Sequence, residues 1–293
     1  MTIFLNLVRY LTANYPLSTE LQCFWMAFQG CIIVRSGPNK DGKMKWFHAF
    51  MKSTITAYAG ASFANLWIGR PTSMLSNDLN FAFCAIAYAF VNCLPFDIGF
   101  KIGTTLPVVL VTTSFAQLFR SMGIVKFCEV GHAEFHKSPS AYYPTPIVGP
   151  IMFATMLGNM GGFFSKGFDG HLKDGMPWAF QNGLFCASFY HFYVNDREGF
   201  VGIWLRQALS GVPEFFDLDE RTFAVSFVSL FMQVMGFLQL PQVWGAGFTP
   251  FGFPRLASAV LEYVPKAETK PGSGFPTTKD GKKQTNEKKD KDL

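Results

Sequence analysis

The chain has 293 residues, of which 49% are hydrophobic and only 15% charged, with a formal net charge of +5. Soluble domains carry about 25% charged residues. The shortfall, together with 34 Phe, argues against a soluble enzyme and for an integral membrane protein; no nucleic-acid partner is expected.

In chain order, Met1–Tyr15 is apolar but interrupted by Arg9 and has no small-residue cleavage site, so it does not read as a signal peptide. Seven stretches then lack Asp, Glu, Lys and Arg: Leu21–Val34, Ser53–Gly69, Leu79–Phe96, Ile102–Phe119, Ser138–Ser165, Met176–Asn195 and Thr222–Pro254. Six reach the ~17 residues a helix needs to cross a hydrocarbon core. The first reaches it if Glu20 sits at an interface or faces a polar interior. The expected architecture is all-α, with about seven transmembrane helices; six or eight are the alternatives. The six cysteines lie in or near these stretches without a C-x-x-C pair and read as small buried hydrophobes.

Loop charge sets the orientation. Arg35, Lys40, Lys43 and Lys45 after the first span, against Asp41 alone, place that loop in the cytosol and the N-terminus across the membrane. The acidic loop before the seventh span and the lysines of the C-terminal tail fit the same odd-numbered topology. From about Lys266 the chain is polar and poor in large apolar residues, so it is expected to be disordered.

The second and fifth spans share a pattern: Gly60-Ala61 precedes Gly69 as Gly161-Gly162 precedes Gly170, nine residues on in both. Gly158 and Gly162 have the G-x-x-x-G spacing that lets lipid-buried helices approach closely. Glycine-interrupted helices at matching places in two halves also mark transport pathways. Plain helix packing is the competing explanation. Pro107, inside the fourth charge-free stretch, is expected to bend its helix. Pro146 and Pro150 are expected to help start the fifth.

Several motifs in order resemble the trimeric intracellular cation (TRIC) channel family. They are Ala64-Asn65-Leu66-Trp67-Ile68-Gly69, Ser76-Asn77-Asp78, Pro95-Phe96-Asp97 with Lys101, Leu106-Pro107-Val108, His132-Ala133, and Gly161-Gly162 followed by Phe168-Asp169. The resemblance implies two three-helix repeats plus a seventh helix, a homotrimer in endoplasmic or sarcoplasmic reticulum, and a potassium pore in each protomer balancing charge during calcium release. It implies units at 20–97 and 98–198, a lumenal segment at 1–19, an acidic loop, seventh helix and following segment over 199–265, and a cytosolic tail at 266–293.

The chain departs from the family where charge matters. The K-E-V signature falls on Ala116-Gln117-Leu118, and only the following arginine is kept, as Arg120. In the family these cations contact an acidic phosphoinositide. Arg120 is therefore the lipid-binding candidate, with snorkelling at a helix end as its plain alternative. The basic residue before the fifth helix's glycines falls on Gly158, and the paired glycine of the second helix on Tyr58-Ala59 beside Gly60. The pore or hinge candidates are Gly60, Pro107, Gln117, Gly158, Gly161 and Gly162, with Thr112, Thr113, Ser114 and Asn159 as further polar groups. A non-conducting scaffold or phosphoinositide-binding protein is the alternative to a channel. His132 and His136, one turn apart, suggest a metal pair, but the intervening glutamate is out of register for H-E-x-x-H and only three other histidines exist. No metal, cofactor or catalytic site is expected.

Overall fold

The computed structural model describes residues 2–137, 145–158, 160–172, 176–243 and 245; Asn159 and the tail expected to be disordered lie outside them. Among the described residues the chain is helical without strands. The helices are α1 (Thr2–Leu11), α2 (Ser18–Ser36), α3 (Trp46–Trp67), the single turn α4 (Ser73–Ser76), α5 (Asp78–Tyr88), α6 (Ile98–Gly103) and α7 (Leu106–Phe135). They continue with α8 (Val148–Leu157), α9 (Met160–Leu172), α10 (Trp178–Tyr190), α11 (Phe200–Leu209), the short α12 (Gly211–Phe215) and α13 (Glu220–Leu238).

The architecture is two three-helix units and a seventh long helix. In the first, α2 packs on α3 and α5; in the second, α8 packs on α7 and α10. Equivalent helices then meet across the join: α2 lies against α7, and α3 against α8 and α9. Three apolar cores follow this division. One, with Phe28, Phe50, Tyr58 and Cys84, fills the first unit; a second, with Ile124, Ile151, Tyr190 and Val228, joins the second unit to α13. The third, with Ala59, Ala64, Phe153 and Met160, lies on the seam between α3 and the α8–α9 pair.

The third helix of each unit ends alike, in a π-helical turn: Ala89–Cys93 after α5 and His191–Asn195 after α10. The sequence carries the same duplication, as Phe83-Cys84-Ala85-x-x-Tyr88-x-Phe90 and Phe185-Cys186-Ala187-x-x-Tyr190-x-Phe192. This repeat is sharper than the glycine pattern, and a reading centred on glycines passes over it.

By length and apolarity, α7 and α13 each suffice alone to cross a membrane, as does the pair Asp78–Cys93 and Pro95–Gly103 if its 94° bend is counted within one span. The other segments fall short for identifiable reasons. α2 carries Glu20, Gln22, Gln29 and Arg35, α3 carries Lys52 and a run of hydroxyls, and the fifth segment is divided between α8 and α9. Those polar side chains are largely directed inward: Gln22, Ser53, Thr54 and Thr56 are buried. Inward polarity lowers the apolar character of a helix without exposing it to lipid.

Three local expectations need correction. Pro107 does not bend its helix. It occupies the first turn of α7, where its missing N–H is one that a helix leaves unpaired anyway. α7 also runs on to Phe135, so Arg120 lies near its middle rather than at an end, and His132-Ala133 falls in its last turns. Finally, Gly158 caps the C-terminus of α8 while Gly162 belongs to α9, so their G-x-x-x-G spacing does not lie on one continuous helix. Pro150 does sit in the first turn of α8.

Five of the six cysteines are buried, and all six are free; Cys93 is exposed.

A basic cavity between the two repeats

Close backbone approaches build the site. A Cβ on Gly30 of α2 would stand 2.7 Å from the Ser53 carbonyl oxygen and from Ala57 Cβ, so glycine lets α2 settle directly on α3. A Cβ on Gly161 of α9 would collide with the Thr56 carbonyl oxygen, which brings α9 equally close to α3 from the other side. α3 itself breaks at Tyr58 (φ −111°, ψ 15°), where the Tyr58 hydroxyl donates to the Cys23 carbonyl at 2.6 Å. The discontinuity is thus held by a buried tyrosine two residues before Gly60.

Beside these contacts lies a cavity of about 1150 Å³, lined from α2, α3, α7, α9 and the N-terminal ends of α5 and α10. Gly60, Gly158, Gly161, Gly162 and Arg120 all line it. The glycines of the two halves therefore converge on one space, which unrelated packing glycines need not do.

The remaining candidates lie elsewhere. Gln117 is buried against α13, where a Cβ on Gly236 would meet its Cγ at 2.6 Å, and it is not among the cavity lining. Ser114 accepts at its backbone oxygen from Gln233 Nε2 at 2.7 Å, while its hydroxyl bonds the hydroxyl of Tyr10; this fastens α1 to α7 and α13. Thr112 and Thr113 are buried but do not line the cavity, and Pro107 does not reach it. The matched pair Gly69 and Gly170 differ: Gly69 takes a left-handed φ of 68° just beyond α3, whereas in α9 the positive φ falls on Gly167 at 76°.

Arg120 Nη2 donates to Gln29 Oε1 at 3.4 Å and forms no ion pair among the described residues. Two cations not foreseen from sequence join it on the lining, Lys126 from α7 and Lys166 from α9, both exposed. No Asp or Glu lines the cavity among the described residues. Three carboxylates of neighbouring elements are engaged elsewhere. Glu129 accepts from Tyr190 Oη at 2.6 Å and from Arg221 Nη2 at 2.9 Å, tying α7 to α10 and α13. Asp97 pairs with Arg35 at 3.3 Å, and Glu134 with Arg70 and Lys137. The Asn77 side chain at the cavity edge accepts from Leu79 N at 3.1 Å and caps α5.

His132 has more company than its sequence suggests, since its ring lies 5.5 Å from that of His136 and 5.8 Å from buried His191. Among the described residues no group of three or more His, Cys, Asp or Glu is placed to hold a metal ion.

No family model matches the chain, and no curated protein does. Solved structures do. A trimeric intracellular cation channel from C. elegans in the absence of Ca2+ is similar with a TM-score of 0.55 and 15% identity, over 80% of this chain and 97% of that one. A C. elegans structure with bound Ca2+ gives 0.49 and 14% over the same shares. At such identity what is shared is the fold: this is an all-helical membrane protein with the fold of a trimeric intracellular cation channel.

Proposed function

We propose that the chain is a divergent TRIC-type monovalent cation channel of intracellular membranes, assembling as a homotrimer and passing potassium to balance charge during calcium release. The observation that carries this reading is the convergence of Gly60, Gly158, Gly161 and Gly162 from the two repeats on one cavity. Hydroxyls and amides there, among them Thr56, Gln22 and Asn65, are groups that replace part of an ion's hydration shell. The loop charges support an N-terminus in the lumen and a C-terminus in the cytosol.

The lost K-E-V lysine does not leave Arg120 alone. With Lys126 and Lys166 on the same cavity, three cations face a space large enough for a lipid headgroup, and an acidic phosphoinositide is the proposed occupant. Its phosphates would offset the positive lining that otherwise repels potassium.

The test is current across a planar bilayer from reconstituted, demonstrably folded protein. Potassium current that grows with added phosphoinositide is the expected result. Silence across voltages and calcium concentrations would instead favour a non-conducting scaffold.

A further inference from the structure

We infer that, with no acidic lipid in it, the cavity admits small monovalent anions such as chloride in preference to potassium. An acidic headgroup in the cavity then reverses the preference. The inference rests on the reading above that the cavity is the ion path.

Three observations support it. The lining carries Arg120, Lys126 and Lys166 and, among the described residues, no carboxylate. Among the described residues Arg120 is not neutralised by any ion pair, and neither lysine enters one. The rest of the polar lining is formally neutral and offers both donors and acceptors, and the buried Thr56 hydroxyl has no hydrogen-bond partner. A narrow space with one sign of charge and low-dielectric walls concentrates ions of the opposite sign. Arginine and lysine at a constriction favour anions, as acidic rings favour cations. Glu129, Glu134 and Asp97 on neighbouring elements are already paired with Arg221, Arg70 and Lys137, and Arg35 respectively, and Glu20, Asp78 and Asp169, next to lining residues in sequence, are not themselves on the lining.

The experiment uses the full chain, its bound lipid exchanged for phosphatidylcholine, in planar bilayers of phosphatidylcholine alone under a tenfold KCl gradient. The reversal potential should take the sign of the chloride equilibrium potential. It should move to the potassium side when phosphoinositide is added. The exposed pair Lys126→Gln and Lys166→Gln, combined, should move it the same way without added lipid. Reversal on the potassium side from wild-type protein in phosphatidylcholine alone overturns the inference while leaving the channel reading intact. Absence of any current from folded protein, with or without phosphoinositide, overturns the channel reading and the inference with it.

Discussion

Substituting Gly161 tests the close approach on which the cavity depends. In an ordinary α-helix, Gly→Ala gains about 1 kcal/mol of helix propensity. At Gly161 the new methyl would sit on the Thr56 carbonyl oxygen, part of the α3 backbone, which cannot move aside as a flexible side chain can. Overpacking of this kind costs about 1–3 kcal/mol. Net destabilisation of about 0–2 kcal/mol is therefore expected, with α3 and α9 pushed apart and the cavity reshaped. Gly170→Ala is the matched control, because its Cβ would meet only Lys166 Cβ, at an ordinary 3.7 Å, and should keep the propensity gain. Thermal unfolding of both variants in detergent, followed by helical signal, gives the comparison. The expected order is Gly170→Ala above wild type and Gly161→Ala at or below it. If Gly161→Ala gains as much stability as Gly170→Ala, α9 does not lie on α3 at Thr56.

Other contacts yield sharper local tests. Glu129→Gln and Arg221→Gln should show a coupling of about 0.5–1 kcal/mol in a double-mutant cycle, the modest value fitting a partly exposed pair; strict additivity would remove this link between α7 and α13. Arg35→Ala should cost about 1–3 kcal/mol, because Arg35 also donates to the Asn39 and Lys40 carbonyls and its guanidinium stands 5.2 Å from the Phe100 ring centroid. Asp97→Asn, at the half-exposed end of the same pair, should cost markedly less by the same melting assay; equal losses would contradict this division. Asp219 caps α13 by accepting from Thr222 N at 2.9 Å, and these hydrogen bonds hold its carboxyl below the usual aspartate range. A lowered carboxylate stabilises the fold above its unfolded pKa and loses that contribution as pH falls through the folded value. Asp219→Ala should thus cost about 1 kcal/mol at neutral pH, and the difference from wild type should shrink in acid below the ordinary aspartate range; a difference constant across that range would argue against the cap.

Much of the architecture was legible because charge is expensive in lipid. Each charge-free stretch contains or overlaps one of the long helical segments, since a chain that avoids charge for ~17 residues has few alternatives to a span or a buried helix. The matched spacing of Gly60 and Gly161 was visible too, but spacing alone fits plain helix packing equally well. What failed was local continuity. A stretch bounded by charges ends at Phe119, yet α7 carries on through Arg120 and Lys126, both of which line the cavity. That extension hid two facts together: Arg120 is mid-helix, and Lys126 shares its cavity. Lys166 was visible only as a charge just past the fifth stretch, with nothing in spacing to say which way it faced. Pro107 misled because the helix start at Leu106, directly after Thr105, has no charge to mark it. Gln117 aligns with a charged signature, but helix rotation sends it to Gly236 on α13. The paired π-helical turns do have a signal in the repeated Phe-Cys-Ala-x-x-Tyr-x-Phe, whereas the meeting of His132 with His191 depends on tertiary packing and has none.

If the space between the duplicated helix triads is the route ions take, filling it must stop the current. Paired bilayer recordings of wild-type protein and Gly60→Trp, both verified as folded and of equal oligomeric size, test it most directly. Gly60 lines the cavity, so an indole there would occupy it without altering net charge. Current from wild type and its near-complete loss in Gly60→Trp are expected. Equal currents from the two would show that ions cross elsewhere.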